Sequence, residues 1–386
     1  MRRTVSALVG LLLAGVAVTP AHAETVRERQ WHLDAMKAED IWKVSTGKGV
    51  TVAVIDSGVA RVSELDGQVV AGKDFATSNE GDERTDLENH GTSMAAIIAG
   101  TGKHSSGDGA FGFAPGAKIL PIRVPHGDDP RNPAWTEAIR YAADTEAKII
   151  SISMGTATED PARVEAVEYA LSKGKLIFAA AGNDGDAGNT LRFPAATPGV
   201  VGVGAVDREG VATAESQHGP QVDVSAPGID ILAACTGRTG VCTSHGTSDA
   251  TALASASAAL LWSAHPDWTN NQVLRVLLNT AGKPVDGVER NDYVGYGVVR
   301  PRIALPTPGD PGPADVYPLP DLAAAAEAKS PPPSLSSAAV PAALRAEAEG
   351  LDGGGSDRLP WTALGLTACL LIGGAVTAVV VRRANR

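Results

Sequence analysis

Between residues 49 and 207 the chain alternates short, almost uninterrupted apolar runs with longer stretches of helical spacing. No other feature limits its fold so strongly. The runs GVTVAVIDSG (49–58), AKILPIRV (117–124), KIISISM (148–154), KLIFAAAGN (175–183) and GVVGVGAVD (199–207) read as strands, because each is too short for a helix and ends in turn residues. Between them, GTSMAAIIAG (91–100), AWTEAIRYAADTEA (134–147) and ARVEAVEYALSKG (162–174) repeat small and apolar residues at helical spacing. Strands alternating with helices require βαβ crossovers, so the class is α/β, a parallel sheet with helices on both faces. Sheets of this kind hold their sites at the carboxyl ends of the strands.

Further along, DATALASASAALLWSAHP (249–266) is a helix of small residues, too polar and interrupted to span a bilayer and suited to the centre of a domain. Thr269 and Gln272 have capping-box spacing and start another helix. These elements place a folded domain at 24–305. Residues 306–360 change to Pro, Ala, Ser and Gly without periodicity, which predicts a disordered stalk.

The two ends set the compartment. Residues 1–23 carry a basic start, an apolar run and a final Ala-His-Ala, which is the pattern of a signal peptide cleaved after Ala23. Residues 361–381 contain no charge and are followed by Arg-Arg-Ala-Asn-Arg. As a helix this segment would rise about 30 Å and cross a bilayer, with the tail at 382–386 cytoplasmic. The expected topology is single-pass type I at the cell membrane, with the folded domain extracellular. Cys235 and Cys242 then lie in an oxidising space within one short loop, where a disulfide is expected and two free thiols are the alternative. The formal charge of −11, with no basic stripe, argues against nucleic acid as a partner.

The tetrapeptide His-Gly-Thr-Ser occurs twice, at 90–93 and 245–248. A histidine three residues before a serine on a tight turn cannot activate it well, because the ring must face the hydroxyl while a carboxylate orients its other nitrogen. The copies therefore divide the work: His90 from the first, Ser248 from the second, and Asp56 at the end of VIDSG. The order Asp, His, Ser is one of the three chain orders in which this triad occurs. Ser93 and His245 are bystanders, the first facing its helix and the second packing beneath the serine turn. His22, His32, His104, His126, His218 and His265 have no comparable setting and read as surface or loop residues.

AVIDSGV around Asp56, NHGTSMAAIIAG around His90, AAAGNDG around Asn183 and SHGTSDATA around Ser248 together resemble the subtilases, the subtilisin-like serine proteases. GFAPGAKILPIRV (112–124) and SAPGIDILAA (225–234) match two further family segments, and the resemblance covers roughly residues 30–302. It implies a subtilisin-like doubly wound parallel sheet and a serine endopeptidase acting on proteins or peptides without a cofactor or metal. Asp56 would orient His90, His90 would move the proton, and Ser248 would attack. Asn183 and the Ser248 backbone N–H would form the oxyanion hole. Ser153, Met154 and Gly155 would pair with the substrate backbone. Ala181 and Gly182 would line an open apolar pocket with no acidic base. GDDP (127–130) and NDGDAGN (183–189) read as solvated turns and not as calcium loops. An α/β-hydrolase esterase is excluded, because Ser248 has no G-x-S-x-G elbow.

Two departures stand out. Asp249 and Ala252 follow the serine where the family has methionine and proline, which keeps open a weakly active interaction module. The segment between Ala23 and the domain is also short, so no cleaved inhibitory propeptide is expected. Signal peptide, short extension, peptidase domain, stalk and membrane helix together resemble the mycosins, membrane-anchored subtilases. That likeness implies type VII secretion machinery as a partner.

Overall fold

The computed structural model describes residues 24–76, 80–125 and 132–329. Seven strands form one all-parallel sheet: β1 (Thr51–Asp56), β2 (Lys73–Asp74), β3 (Lys118–Arg123), β4 (Ile149–Ile152), β5 (Leu176–Ala180), β6 (Val201–Val206) and β7 (Val224–Pro227). Their order is β2-β3-β1-β4-β5-β6-β7. The order reverses at β1, which has β3 on one side and β4 on the other. Such a reversal opens a crevice at the carboxyl ends of the central strands.

Alternation along each strand divides the core in two. Val52 and Val54 of β1 face one side, with α3 (His90–Ala99), α6 (Thr247–Ala264) and α7 (Asn270–Thr280). Ala53 and Ile55 face the other, with α4 (Pro133–Ala143) and α5 (Pro161–Ser172). Every residue of β4, β5, β6 and β7 is buried, as a parallel sheet covered on both faces requires. The small-residue helix α6 runs through the middle, against β4, β5, β6 and β7. Its alanines and serines let the helix approach the sheet closely. Thr269 and Gln272 form the expected capping box at the start of α7.

Strands β8 (Ile231–Ala234) and β9 (Val241–Ser244) form a separate antiparallel hairpin, which the βαβ pattern did not announce. Short helices α1 (Trp31–Ala35) and α2 (Ala38–Trp42) precede the sheet. Contrary to expectation, His32 is buried in α1, with its pKa lowered to about 3 by burial and by nearby Arg27. The N-terminal segment is built into the domain, since the Gln30 side chain bonds both Phe111 and Leu232 and Trp31 donates to the Ile229 carbonyl.

The stalk expected from residue 306 does not begin there. Arg275 on α7 donates to the carbonyls of Pro311, Pro313 and Val316. After the short helix α8 (Pro301–Ala304), Leu319 is buried in the core, Tyr317 donates to the Gly199 carbonyl, and a further helix, α9 (Asp321–Lys329), follows. A proline-rich segment has few backbone donors but keeps its carbonyls, and one guanidinium collects three of them. Among the described residues no helix is long and apolar enough to cross a membrane. The signal peptide, the membrane segment and GDDP, together with His22 and His126, lie outside the described residues.

Candidate active site

The three separated side chains reach the carboxyl edge of the sheet by different routes. Asp56 ends β1 and is fully buried. His90 opens α3, with its Nδ1 2.8 Å from Asp56 Oδ1. That contact fixes the Nδ1–H tautomer and leaves Nε2 as the basic nitrogen. Gly91 makes the approach possible, because a Cβ there would lie 2.2 Å from the Gly58 carbonyl oxygen and 2.9 Å from Asp56 Cβ. Ser248 lies in the first turn of α6, where helix dipole and free N–H groups favour negative charge. Helices α3 and α6 pack together, and the charge of Asp249 beside Ser248 acts on the His90 imidazole.

A second carboxylate supports the first, and the sequence reading missed it. Asp86 accepts from the backbone N–H groups of Asn89 and Thr92, each at 2.8 Å, and so caps the start of α3. Ser57 links the two acids: its Oγ lies 2.8 Å from Asp86 Oδ1 and 3.2 Å from Asp56 Oδ1, and it accepts from Gly91 N–H. The only available signal was an acidic residue just before a helix-opening His-Gly, a common capping pattern.

Ser153, Met154 and Gly155 follow β4, and Asn183 follows β5. Ser248 Oγ donates to the Ser153 carbonyl at 2.9 Å, and Ser153 Oγ donates to the Ser248 carbonyl at 3.1 Å. Asn183 is held by its amide oxygen, which accepts from Thr247 N–H and Thr247 Oγ1. Its Nδ2 group lies beside Gly246, whose φ of 124° and missing Cβ leave room for it. Together these groups line a cavity of about 220 Å³, formed by Ser153, Met154, Gly155, Ala180, Gly182, Asn183, Asp184, Arg192, Thr247 and Ser248.

Three expectations need correction here. Ala181 does not face the cavity: it is fully buried and its N–H donates to Val203 across the sheet, so strand alternation presents Ala180 instead. The cavity is not simply apolar, since Asp184 lines it and pairs with Arg192. His245 does not pack beneath the serine turn. It is exposed and sits 2.9 Å from both oxygens of Glu215, which raises its pKa. Ser93, by contrast, turns back to the Asn89 carbonyl within its helix. Asp249 is buried, accepts from Ser244 Oγ at 2.5 Å, and has its pKa raised to about 6 chiefly by burial. Cys235 and Cys242 form a disulfide that closes the β8–β9 hairpin. Among the described residues no group of three or more His, Cys, Asp or Glu side chains is arranged to hold a metal ion.

A parallel sheet carrying an Asp–His pair, a helix-opening serine and an amide beside it defines a class of hydrolase. The chain belongs to the subtilase family (peptidase S8), whose profile matches residues 47–297. A thermophilic serine proteinase from Bacillus sp. (strain AK1) is 37% identical over 263 residues, covering 66% of this chain and 62% of that protein. The chain thus spans less than two thirds of that relative. Mycosin-1 from Mycobacterium tuberculosis (strain ATCC 25618 / H37Rv) is 33% identical over 341 residues, covering 74% of each. Among solved structures, MycP1 from the ESX-1 type VII secretion system superposes with a TM-score of 0.64 at 29% identity, covering 78% of this chain and 91% of that one.

Proposed function

We propose that the chain is an exported serine endopeptidase that hydrolyses peptide bonds through Asp56, His90 and Ser248. The 2.8 Å contact between His90 Nδ1 and the buried Asp56 Oδ1 at the carboxyl end of β1 carries this reading. Substrate enters as an added strand along Ser153–Gly155. Its backbone N–H then competes for the Ser153 carbonyl that the Ser248 hydroxyl now occupies, freeing the hydroxyl to turn to the imidazole. His90 Nε2 takes the proton as Ser248 Oγ attacks the scissile carbonyl. Asn183 Nδ2 and Ser248 N–H receive the developing oxyanion, and the α6 dipole reinforces them. His90 returns the proton to the leaving amine, and water then hydrolyses the acyl-enzyme by the same route.

The rest of the chain supports a membrane-anchored form. Residues 1–23 are proposed as a signal peptide, 24–329 as the exported domain, 330–360 as the stalk, 361–381 as the span and 382–386 as the tail. The likeness to mycosin-1, to MycP1 of a type VII secretion system and to the MycP3 protease of another supports action on protein substrates at such a system.

Labelling of the full chain with a fluorophosphonate tests the chemistry. Wild type is expected to label and Ser248→Ala to lose all labelling. No labelling of folded wild type would turn the reading to a non-catalytic subtilase module, with Asp249 and Ala252 the first suspects.

A further inference from the structure

A second cavity shares no residue with the catalytic one. It holds about 410 Å³ at the carboxyl ends of β6 and β7, beside Trp31 of α1 and the start of α8. Its charge is unlike that of the rest of the chain. Arg208, Lys283, Arg300 and Arg302 line it with two acids, Asp207 and Glu209, a positive excess where the whole chain carries −11. Arg208 has Asp230 at 3.5 Å and lies 5.0 Å from the Trp31 ring centre. Asp207 is turned into its own loop, accepting from Glu209 N–H at 3.0 Å and from Val211 N–H at 2.9 Å. Arg300 donates Nε and Nη2 to the carbonyls of Thr280 and Ala281, which orient the guanidinium without neutralising it. Burial and the charge of Arg302 both lower the Arg300 pKa. Lys283 stands 5.6 Å from the Tyr296 ring centre. Among the described residues, Lys283, Arg300 and Arg302 thus have no carboxylate partner, and an anion between them would relieve their repulsion. Much of the remaining wall is apolar, with Trp31, Pro227, Val298 and the 99% exposed Val285.

We propose that this cavity binds a phosphate monoester carried on a short apolar body. Lys283, Arg300 and Arg302 hold the phosphate, and Trp31 and Val285 cover the body. A phosphate monoester brings about two negative charges at neutral pH and three acceptor oxygens. That matches a site where three cations face Glu209 as the one acid not turned into its own loop. A guanidinium meets two phosphate oxygens at once, while the lysine acts as a point charge. A carboxylate supplies one charge and two oxygens, enough for a single arginine. A soluble ester and a phosphatidic acid headgroup present the same chemistry. The site is independent of catalysis, because none of its residues touches Asp56, His90 or Ser248.

The test is isothermal titration of the full chain in a non-ionic detergent at fixed ionic strength. The probes are hexyl phosphate, inorganic phosphate, hexanoate and dihexanoyl phosphatidic acid. Hexyl phosphate is expected to bind at least about tenfold more tightly than inorganic phosphate, from the methylenes it buries. It should also bind at least about tenfold more tightly than hexanoate, which engages fewer charged donors. Lys283→Ala and Arg302→Ala, both at exposed side chains, should each weaken hexyl phosphate about tenfold, as for loss of one charged hydrogen bond. Lys283→Arg should retain binding. Arg300 is left intact, because it also holds the end of α7. Thermal unfolding checks that each variant is folded. Tighter binding of phosphatidic acid than of hexyl phosphate would identify a lipid headgroup as the source. Equal or weaker binding would identify a soluble ester, and both results support the site. Three results overturn it: no saturable binding to folded wild type, hexanoate binding as tightly as hexyl phosphate, or undiminished binding in Lys283→Ala and Arg302→Ala.

Discussion

His90 is pulled in opposite directions. Burial disfavours its charged form, while the carboxylate of Asp56, its hydrogen bond, and the charges of Asp249 and Asp86 favour it; together they raise its pKa from 6.5 to about 9. The general base proposed for the site must be neutral, so kcat/KM should climb along an acid limb that ends near pH 9 and not near 6.5. Asp249→Asn removes one favouring charge and is expected to move that limb to lower pH, read from kcat/KM profiles of the two proteins. The same shift links to stability. A histidine whose folded pKa is raised contributes stability that is fully present below pH 6.5 and lost as pH rises through about 9. Urea denaturation of wild type across pH 6–10 should show stability falling over this window, and by less in Asp249→Asn. A stability curve without that fall would contradict the assignment.

At the scale of elements, the β8–β9 hairpin matters because of where it rests. Asn89, with a left-handed φ of 61°, is the residue before His90. Its Oδ1 accepts from Thr236 N–H at 2.7 Å and from Thr236 Oγ1 at 2.9 Å. Thr236 lies in the loop that the Cys235–Cys242 bond closes, with the cysteines seven positions apart. The disulfide therefore restrains the loop that holds the start of α3. Reduction, or Cys242→Ser, is expected to lower stability by about 2–3 kcal/mol from the loop entropy regained on unfolding. It should also lower kcat, because Asn89 loses its anchor. Urea titrations and turnover with and without reductant check both effects. Unchanged turnover at full reduction would mean that α3 holds His90 unaided.

For the whole molecule, the segment 306–329 is part of the domain and not a tether. It is fastened at Arg275, at Leu319 and at Gly199, whose N–H donates to Asp321 and whose carbonyl accepts from Tyr317. Leu319→Ala in the full chain is expected to reduce stability by about 2–4 kcal/mol, as for a buried leucine. Arg275→Ala is expected to reduce it by about 1–3 kcal/mol, because three carbonyls lose a charged donor. Chemical denaturation of the two variants measures this. Values within experimental error of wild type would mean that the segment lies on the domain without stabilising it.

The alternation of apolar runs and helical stretches determined the α/β class by itself, because buried strands and crossover helices have incompatible periods. Asp56, His90 and Ser248 could be proposed from the sequence for a related reason: each lies where a strand ends or a helix begins, and the glycines Gly91 and Gly246 serve backbone geometry there; Asn183 entered only through the family resemblance. What local pattern could not supply was anything that depends on contacts distant in sequence. Ala180, and not Ala181, faces the cavity because the β5–β6 pairing sets the register. Asp184 is balanced by Arg192, Asp86 reaches Asp56 only through Ser57, and a proline-rich tail becomes structure because Arg275 waits on α7. Periodicity is a property of neighbours along the chain; which charges meet is decided only once folding brings distant segments together.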